Sequence, residues 1–551
     1  MFSSPLSASG KPPSTRGASA LTVQQWLGDG DEIALLDVRE HGQYGEGHPF
    51  FAVHAPYSRL ETEVARLVPR RTTRIVLIDD GIDGDALARR AAVRLQAIRY
   101  TNVSVLEGGT PAWAHTGRTL FQGVNLPSKT FGEVLEKAFD VPHMDARTLA
   151  ARMHAGEPLI LLDGRTLEEH RRMTLPGAIP VPNGELALRW PELVKEPSTP
   201  VVIHCAGRTR SIVGAQILRE LGLPNPVFAL ENGTQGWALA GIALERGSNR
   251  SLPPAPAAGS AAWRAAKAAV AASAHAAAPV LSQAQAQAWV DDTDHTTFVF
   301  DVRTAEEFAA GSLPHARHAP GGQLLQATDL KVGVRHARVL LLDDDGIRAP
   351  VIAGWLRRLG LDAASVQGGI RSGLRLPQGP GAPACSPLPR HEAAALASFP
   401  ARDDPGRPVV FDLRASQAYR HGHAADAQWS IRPRLVADVR AATSGDTTRP
   451  VLLLANDEST ALCAAQDLRE AGWNALSWAP ADATRAAGWP QERTPDTPSN
   501  AESIDYLFFV HDRHDGNLEA ARRYLEWETA LVAQCAPDEL SAFRVPLPSP
   551  R

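Results

Sequence analysis

One loop of this 551-residue chain combines a nucleophile with a cation. Cys205 follows the apolar run PVVIH (200–204), and Arg210 lies five residues later in the loop Cys-Ala-Gly-Arg-Thr-Arg. A cysteine at the carboxyl end of a buried strand, just before a helix, lies where open α/β folds bind ligands. Backbone N–H groups and the helix N-terminus form a cup for negative charge there, and such surroundings favour thiolate over thiol. This thiolate could attack either an anionic sulfur donor or a phosphate ester.

The other loop residues are candidate substrate-binding groups. We expect Arg210 to orient an anionic substrate and to offset the charge that develops during the reaction. Arg208 lies within the loop and would add positive potential. The candidate site therefore consists of Cys205 as the catalytic residue and Ala206, Gly207, Arg208, Thr209 and Arg210 as substrate-binding residues.

The sequence around this loop occurs four times. Each copy has a short apolar run that ends in Asp-x-Arg, with the pairs Asp37/Arg39, Asp163/Arg165, Asp301/Arg303 and Asp412/Arg414. A second apolar run, a loop, a helical pattern and a turn of small residues follow. Counted from the second run, the cysteine column reads Asp79, Cys205, Asp344 and Ala455, and the arginine column reads Gly84, Arg210, Ala349 and Thr460. The second copy is thus predicted to be the one with both a nucleophile and a cation.

Residues near the first strand of the second copy have two possible roles. Asp163 and Arg165 could lie at the rim of the Cys205 pocket or directly behind the residues that line it, or they could form a structural pair that braces the sheet. All four copies keep the pair, which favours the structural role. His170 could face the substrate cleft or lie on the helix surface. Trp237 is expected to be a packing residue, although it could also line the pocket.

Strands that alternate with helices, and that are unbroken apolar runs, predict parallel sheets covered by helices on both faces. The fold class is therefore α/β, with four tandem domains, called repeats below. The predicted organisation is repeat one at 18–122, repeat two at 130–250, an Ala-rich and partly helical linker at 251–279, repeat three at 280–376, repeat four at 390–492 and a helical tail at 500–551. The amphipathic helix at 518–535 is expected to pack against repeat four.

Composition excludes several classes of protein. The net charge of −5 does not indicate a nucleic-acid partner, and no apolar run is long enough to span a membrane. The N-terminus lacks the apolar core of a signal peptide, so we expect a soluble, cytoplasmic protein. Cys205, Cys385, Cys463 and Cys535 are too few for a disulfide scaffold and include no CxxC pair, so we expect no structural metal. The last three read as incidental small residues.

The fourfold pattern resembles the rhodanese (sulfurtransferase) family over about residues 18–490, most strongly in repeat two. The resemblance implies that Cys205 takes sulfane sulfur from a small donor such as thiosulfate, holds it as a persulfide and passes it to a thiol or cyanide. It implies no metal or organic cofactor. Repeats one, three and four, which have no cysteine in the column of Cys205, would be inactive. The loop glycine, Gly207, lies one place earlier than in the commonest family pattern, which leaves the preferred donor open.

Two other functions remain open. Cysteine-dependent phosphatases on the same fold place five residues between cysteine and arginine, whereas four lie between Cys205 and Arg210. The shorter loop would make a smaller cup, which suits a sulfur atom better than a phosphate group. A scaffold of inert modules that gathers partners is the second alternative.

Overall fold

The computed structural model of the chain describes residues 16–81, 86–273, 278–379, 386–401, 404, 406–511, 513 and 516–545. These residues divide into two compact units. Unit one lies within 1–29, 33–122 and 380–507 and holds repeats one and four. Unit two lies within 30–32, 123–379 and 508–551 and holds repeats two and three together with the tail.

Each repeat builds one parallel sheet. The strands of repeat one are β1 (Arg16–Ala18), β2 (Ile33–Asp37), β3 (Val53–His54), β4 (Arg74–Ile78) and β5 (Val103–Leu106). Those of repeat two are β6 (His143–Met144), β7 (Ile160–Asp163), β8 (Ile179–Pro180), β9 (Val201–His204) and β10 (Val227–Leu230). Those of repeat three are β11 (Val280–Leu281), β12 (Thr297–Asp301), β13 (Arg317–His318), β14 (Arg338–Leu342) and β15 (Asp362–Val366). Repeat four has β16 (Val409–Asp412), β17 (His423–Ala424), β18 (Ala427–Trp429), β19 (Val451–Ala455) and β20 (Leu476–Pro480), and β21 (Gln491–Glu492) pairs antiparallel with β17.

Helices connect the strands. Before the linker they are α1 (Ala20–Gly28), α2 (His41–Glu46), α3 (Leu60–Leu67), α4 (Ala86–Ala97), α5 (Gly109–His115), α6 (Leu126–Phe139), α7 (Ala146–His154), α8 (Leu167–Arg172), α9 (Leu186–Leu193), α10 (Thr209–Glu220) and α11 (Gly233–Leu239). From the linker onward they are α12 (Ala261–Ala272), α13 (Gln283–Asp291), α14 (Ala305–Ala310), α15 (Gly321–Gln326), α16 (Arg348–Arg358), α17 (Ala393–Ala397), α18 (Ser416–His421), α19 (Arg432–Ala442), α20 (Glu458–Glu470), α21 (Ala483–Ala486), α22 (Phe508–His511), α23 (Leu518–Gln534) and α24 (Pro537–Leu540). Short 3₁₀ turns lie at Tyr57–Arg59, Asn183–Glu185, Thr328–Leu330 and Gly369–Arg371.

The strand order confirms the predicted α/β fold with tandem repeats. The order is β1-β5-β4-β2-β3 in repeat one, and repeats two and three have the same order. Repeat four keeps four of these positions, as β18-β16-β19-β20. Every residue of β2 and of β19 is buried, which requires cover on both faces of the sheet because successive side chains point to opposite faces.

The four Asp-x-Arg pairs form the same structural brace. In repeat one, Arg39 donates from Nε to Asp37 at 3.0 Å and from Nη2 both to Asp37 at 2.6 Å and to the carbonyl of Gly47 at 2.7 Å. The equivalent carbonyls are those of Met173, Gly311 and Gly422. The brace therefore ties the end of a central strand to the loop that follows the next helix, as the structural interpretation predicted.

Buried arginines also join the two repeats within each unit. In unit one, Arg432 of repeat four donates to Glu61 of repeat one at 2.6 Å. In unit two, Arg348 of repeat three donates to Glu185 of repeat two at 3.0 Å. Guanidinium groups suit this role because they bind carboxylates in a bidentate way and are weakly hydrated.

The linker is partly helical, as predicted. Ser260 caps α12 by accepting a hydrogen bond from the backbone N–H of Trp263 at 3.1 Å, and the helix packs against α9. The prediction for the tail is wrong: α23 packs against α6 and α11 in unit two, not against repeat four. An amphipathic pattern fixes which face of a helix is buried, but it does not identify the surface that buries it. Among the described residues, no helix is long and apolar enough to cross a bilayer.

We expect the brace to contribute substantially to stability. Arg39→Ala would leave the buried carboxylate of Asp37 without its counter-charge, so it should lower the free energy of unfolding of unit one by roughly 3–5 kcal/mol. Urea denaturation followed by circular dichroism would measure this change. Arg390→Ala is the matched control, because the ion pair of Arg390 with Glu392 is more than half exposed, and it should cost less than about 1 kcal/mol. Equal losses for the two variants would contradict the brace.

Candidate functional site

Cys205 is held at the end of a central strand by a turn that requires glycine. It directly follows β9, which lies between β7 and β10, and it is 2% exposed. Its carbonyl accepts a hydrogen bond from the backbone N–H of Thr234 at 2.8 Å. Gly233 has a φ of 52°, and a Cβ there would lie 2.3 Å from that carbonyl oxygen. The small-residue turn seen in the sequence therefore positions the backbone of the cysteine.

The loop opens into a cavity of about 330 Å³ within unit two. Its lining includes the whole loop 205–210, Glu169, four residues of repeat three, Lys129 of α6 and Tyr524, Trp527 and Glu528 of α23. This volume is well above what one water molecule needs, so the cavity has room for a small oxyanion.

The structure corrects the third entry of both sequence columns. Asp163 pairs in register with His204, and Asp301 pairs in the same way with Leu342, so the residue equivalent to Cys205 is Asp343, not Asp344. The arginine column then contains Arg348 instead of Ala349. Repeat three therefore lacks the nucleophile but keeps the cation. Gly84 of repeat one lies outside the described residues.

The sister loops show what the loop backbone can bind. The carboxyl group of Asp343 accepts hydrogen bonds from the backbone N–H groups of Gly346, Ile347 and Ala349 at 2.9–3.1 Å. In repeat one, Asp79 accepts from Gly81 at 2.9 Å. Burial, together with the neighbouring Asp345, nevertheless raises the pKa of Asp343 to about 8. Loop amides thus converge on the side chain in this column, and their counterparts in repeat two belong to Arg208, Thr209 and Ser211.

Arg210 lies in the cavity with a carboxylate partner. Its Nη1 and Nη2 donate to the two oxygens of Glu169, each at 2.7 Å. Although burial opposes the charge of Glu169, Arg210 lowers the pKa of this carboxyl to about 2. The same pair recurs in repeat three, where Arg348 donates to Glu307 at 2.7 Å. The ion pair is thus present in a repeat that has no cysteine in this column, which indicates that it also has a structural role.

Arg208 lines the cavity, but α6 neutralises its charge. Its Nε donates to Glu133 at 2.7 Å, and its Nη2 is also bonded to Glu136. Burial raises the pKa of Glu133 to about 7, although Arg208 opposes this shift. The guanidinium thus joins the loop to α6, and its positive potential in the cup is smaller than the sequence suggests.

Asp163, Arg165 and His170 lie beneath the cysteine and do not line the cavity. Asp163 accepts from Arg165 at 2.8 Å and from Nδ1 of His170 at 2.9 Å. His204, next to Cys205, lies 3.6 Å from the same carboxylate, and burial lowers its pKa to about 4. His170 is fully buried and does not line the cavity, so both predicted locations of its side chain, in the cleft and on the helix surface, are wrong. Trp237 is also buried, and its indole N–H donates to the carbonyl of Ala243 instead of lining the cavity.

Sequence reasoning missed the contribution of α6 and the tail. Lys129 donates to Glu528 at 3.1 Å, and both side chains are at least nine-tenths buried. The ammonium of Lys129 also lies over the rings of Tyr524 and Trp527. These residues lie outside the repeated sequence, so comparing the copies could not reveal them. The signal available was the polar residue Glu528 within the apolar stripe of an amphipathic helix.

Comparisons with known proteins agree on one family. The model of the rhodanese-like domain matches residues 19–116, 145–240 and 282–374. The crystal structure of thiosulfate sulfurtransferase from Pseudomonas aeruginosa is 35% identical, covers 97% of this chain and 99% of its own, and superposes with a TM-score of 0.86. SseB of Mycobacterium tuberculosis, provisionally assigned as a thiosulfate sulfurtransferase, is 29% identical over 210 residues, which cover 31% of this chain and 72% of SseB.

The three described cysteines should differ in reactivity. Burial raises the pKa of the Cys535 thiol to about 12, and Cys463 is a buried residue of α20, whereas Cys205 lines the cavity. Brief treatment with iodoacetamide at pH 8 should therefore label Cys205 first, and Cys463 and Cys535 only after denaturation. Peptide mass mapping would measure the order, and equal labelling of Cys463 in the native protein would contradict it. Cys385 lies outside the described residues.

Proposed function

The chain belongs to the rhodanese family, and from this premise we propose that it is a sulfurtransferase that moves sulfane sulfur from a donor such as thiosulfate to a thiophilic acceptor through a persulfide on Cys205. The family and the similar proteins support sulfur transfer at the level of the class. The residue that carries the sulfur, the donor and the acceptor are the parts that we propose.

One observation carries the proposal. Cys205 in repeat two is equivalent to Asp343 in repeat three, and there the loop amides hydrogen-bond the carboxyl oxygens of the aspartate. We infer that the equivalent N–H groups of repeat two face the sulfur of Cys205, so that little reorganisation is needed when a negatively charged sulfur forms there. The same loop therefore suits both a thiolate and the persulfide anion that replaces it.

The reaction proceeds as a double displacement. The thiolate of Cys205 attacks the outer sulfur of thiosulfate, a new S–S bond forms, and the S–S bond of the donor breaks so that sulfite leaves with the electron pair. An acceptor thiolate then attacks the outer sulfur of the persulfide, and the electron pair of that bond returns to Cys205. Cyanide in place of the thiolate would leave as thiocyanate. No net oxidation occurs, and no further reactant is required.

The other groups hold the donor and the loop. Arg210 offers a cation that already lies beside the cup, and Glu169 fixes its orientation through two hydrogen bonds. We propose that repeats one, three and four do not carry sulfur, because Asp79, Asp343 and Ala455 occupy the cysteine column. Their sheets would then serve as packing partners or binding modules.

Replacement of Cys205 tests the site directly. Incubation with thiosulfate should add the mass of one sulfur atom to the Cys205 peptide. Cys205→Ser should abolish both this adduct and the formation of thiocyanate from cyanide, because a serine cannot hold a persulfide. Cys463→Ser is the matched control and should keep full turnover. A parent protein that acquires no sulfur on Cys205 from thiosulfate, mercaptopyruvate or polysulfide would instead favour a non-catalytic scaffold.

Removal of Arg210 tests the cation. Arg210→Ala should lower kcat/KM for thiosulfate roughly 10–100-fold, which corresponds to one charged transition-state contact of about 1.4–3 kcal/mol. Arg171→Ala, an exposed arginine of α8, should leave the kinetics unchanged. Steady-state cyanolysis would measure both variants. Unchanged kinetics for Arg210→Ala would show that Arg210 acts only as a structural partner of Glu169.

A further inference from the structure

The strongest unassigned contact to the Cys205 loop comes from outside the rhodanese-like repeats. Oε1 of Glu528, on α23, accepts a hydrogen bond from the hydroxyl of Thr209 at 2.9 Å. Thr209 is both the fifth residue of the loop and the first residue of α10. Its hydroxyl thus bonds to the tail helix, while its backbone N–H belongs to the loop amides described above.

The carboxylate is fixed in place by a second partner. Lys129 of α6 donates to the same Oε1 at 3.1 Å and is also bonded to the hydroxyl of Tyr524. Gly132 of α6 lies against Thr209, and a Cβ at Gly132 would come within 2.9–3.2 Å of Thr209 atoms. Helices α6 and α23 therefore form a rigid support on one side of the loop.

The position of the loop glycine fits this support. A Cβ at Gly207 would lie 3.0 Å from Oε2 of Glu528 and 3.4 Å from Nε2 of Gln235. Gly207 does not have a positive φ, so the space around it favours glycine more than its backbone conformation does. The unusual position of this glycine in the loop thus coincides with the point at which the carboxylate of Glu528 lies against the loop.

We propose that Glu528 is a positioning residue for the Cys205 loop, and that the tail helix is an integral part of the sulfur-transfer site. The proposal rests on the function proposed above for Cys205. The hydrogen bond to Thr209 holds the start of α10, and so the loop amides, in the orientation that faces the sulfur. Lys129 and the hydroxyl of Thr209 both bond Oε1 of Glu528, whereas Oε2 lies buried beside Gly207 without a hydrogen-bond partner among the described residues. The carboxylate thus orients the loop through Oε1.

Thr209→Val is the decisive variant, because it removes the hydroxyl but leaves the Lys129–Glu528 pair and the packing of the tail intact. We expect the rate of persulfide formation on Cys205, measured in single turnover with thiosulfate, to fall about tenfold. Thr209→Ser keeps the hydroxyl and should recover most of the rate. Rates for both variants within twofold of the parent would overturn the proposal, and so would an equal loss in Thr209→Ser.

Glu528→Gln provides a second readout that a purely structural residue would not change. Loss of the carboxylate leaves Lys129 unneutralised at the cavity, so KM for the dianionic donor should stay the same or fall while kcat falls. Glu526→Gln, two residues away on the exposed face of α23, is the matched control and should change neither constant. A raised KM with unchanged kcat would show that Glu528 acts on binding and would overturn the positioning role.

Hydrogen–deuterium exchange separates this proposal from the proposed function. The amides of 205–211 should exchange faster in Thr209→Val and in Glu528→Gln than in the parent, whether or not sulfur transfer is observed. Unchanged exchange would overturn the positioning role even if Cys205 proves to be the sulfur carrier. Faster exchange in a protein that never forms the persulfide would show that α23 holds the loop in place. Such a result would contradict only the proposed function.

Discussion

A carboxylate buried at the end of a central strand has to be neutralised where it lies, and this constraint shapes every repeat. Asp163 and its three counterparts are fully buried, and in each repeat the arginine two residues later supplies the opposite charge. The same guanidinium also bonds a carbonyl eight residues farther on, so it ties the end of the central strand to the loop after the next helix. The neighbouring strand, which ends beside this brace, carries the cysteine column.

The brace explains how chemistry and fold are separated in this chain. All four repeats keep the Asp–Arg pair, whereas the residue in the cysteine column varies from Asp to Cys to Ala. Repeat three also keeps the Arg–Glu pair of the site, as Arg348 and Glu307, although Asp343 stands in place of a thiol. The Asp–Arg pair at the strand end therefore stabilises each repeat. The residue in the cysteine column of the loop can change without loss of that pair.

Charge in the cavity is balanced locally. Lys129, Arg208 and Arg210 each bond a carboxylate, on Glu528, Glu133 and Glu169 respectively. Such buried pairs offset the cost of desolvation and restrict each cation to one direction. An anionic donor bound in this cavity, as we propose, would meet oriented cations, and the field at the donor would depend on the glutamates as much as on the arginines.

The sequence predicted the repeats, the sheets and the position of Cys205, because apolar runs and turns are local signals. It misplaced the third column by one residue, since the run of aspartates from Asp343 to Asp345 gives no marker of where β14 ends, and the pairing of Asp301 with Leu342 does. His170 looked like a helix-surface residue because its burial depends on Asp163 and Ser248, which come from other elements. The packing partner of α23 could not be predicted either, because an amphipathic pattern does not identify the surface against which a helix packs.

The link between Thr209 and Glu528 has a consequence for the order in which the chain is made. The two residues are 319 positions apart in the sequence. At about 5–20 residues per second, a ribosome needs roughly 15–65 s to travel from one to the other. Repeat two emerges with its own strands complete long before α23 exists, so it exists first as a sheet with one wall of its cavity missing. Synthesis of α23 supplies that wall, so the site is complete only after the ribosome has passed residue 534.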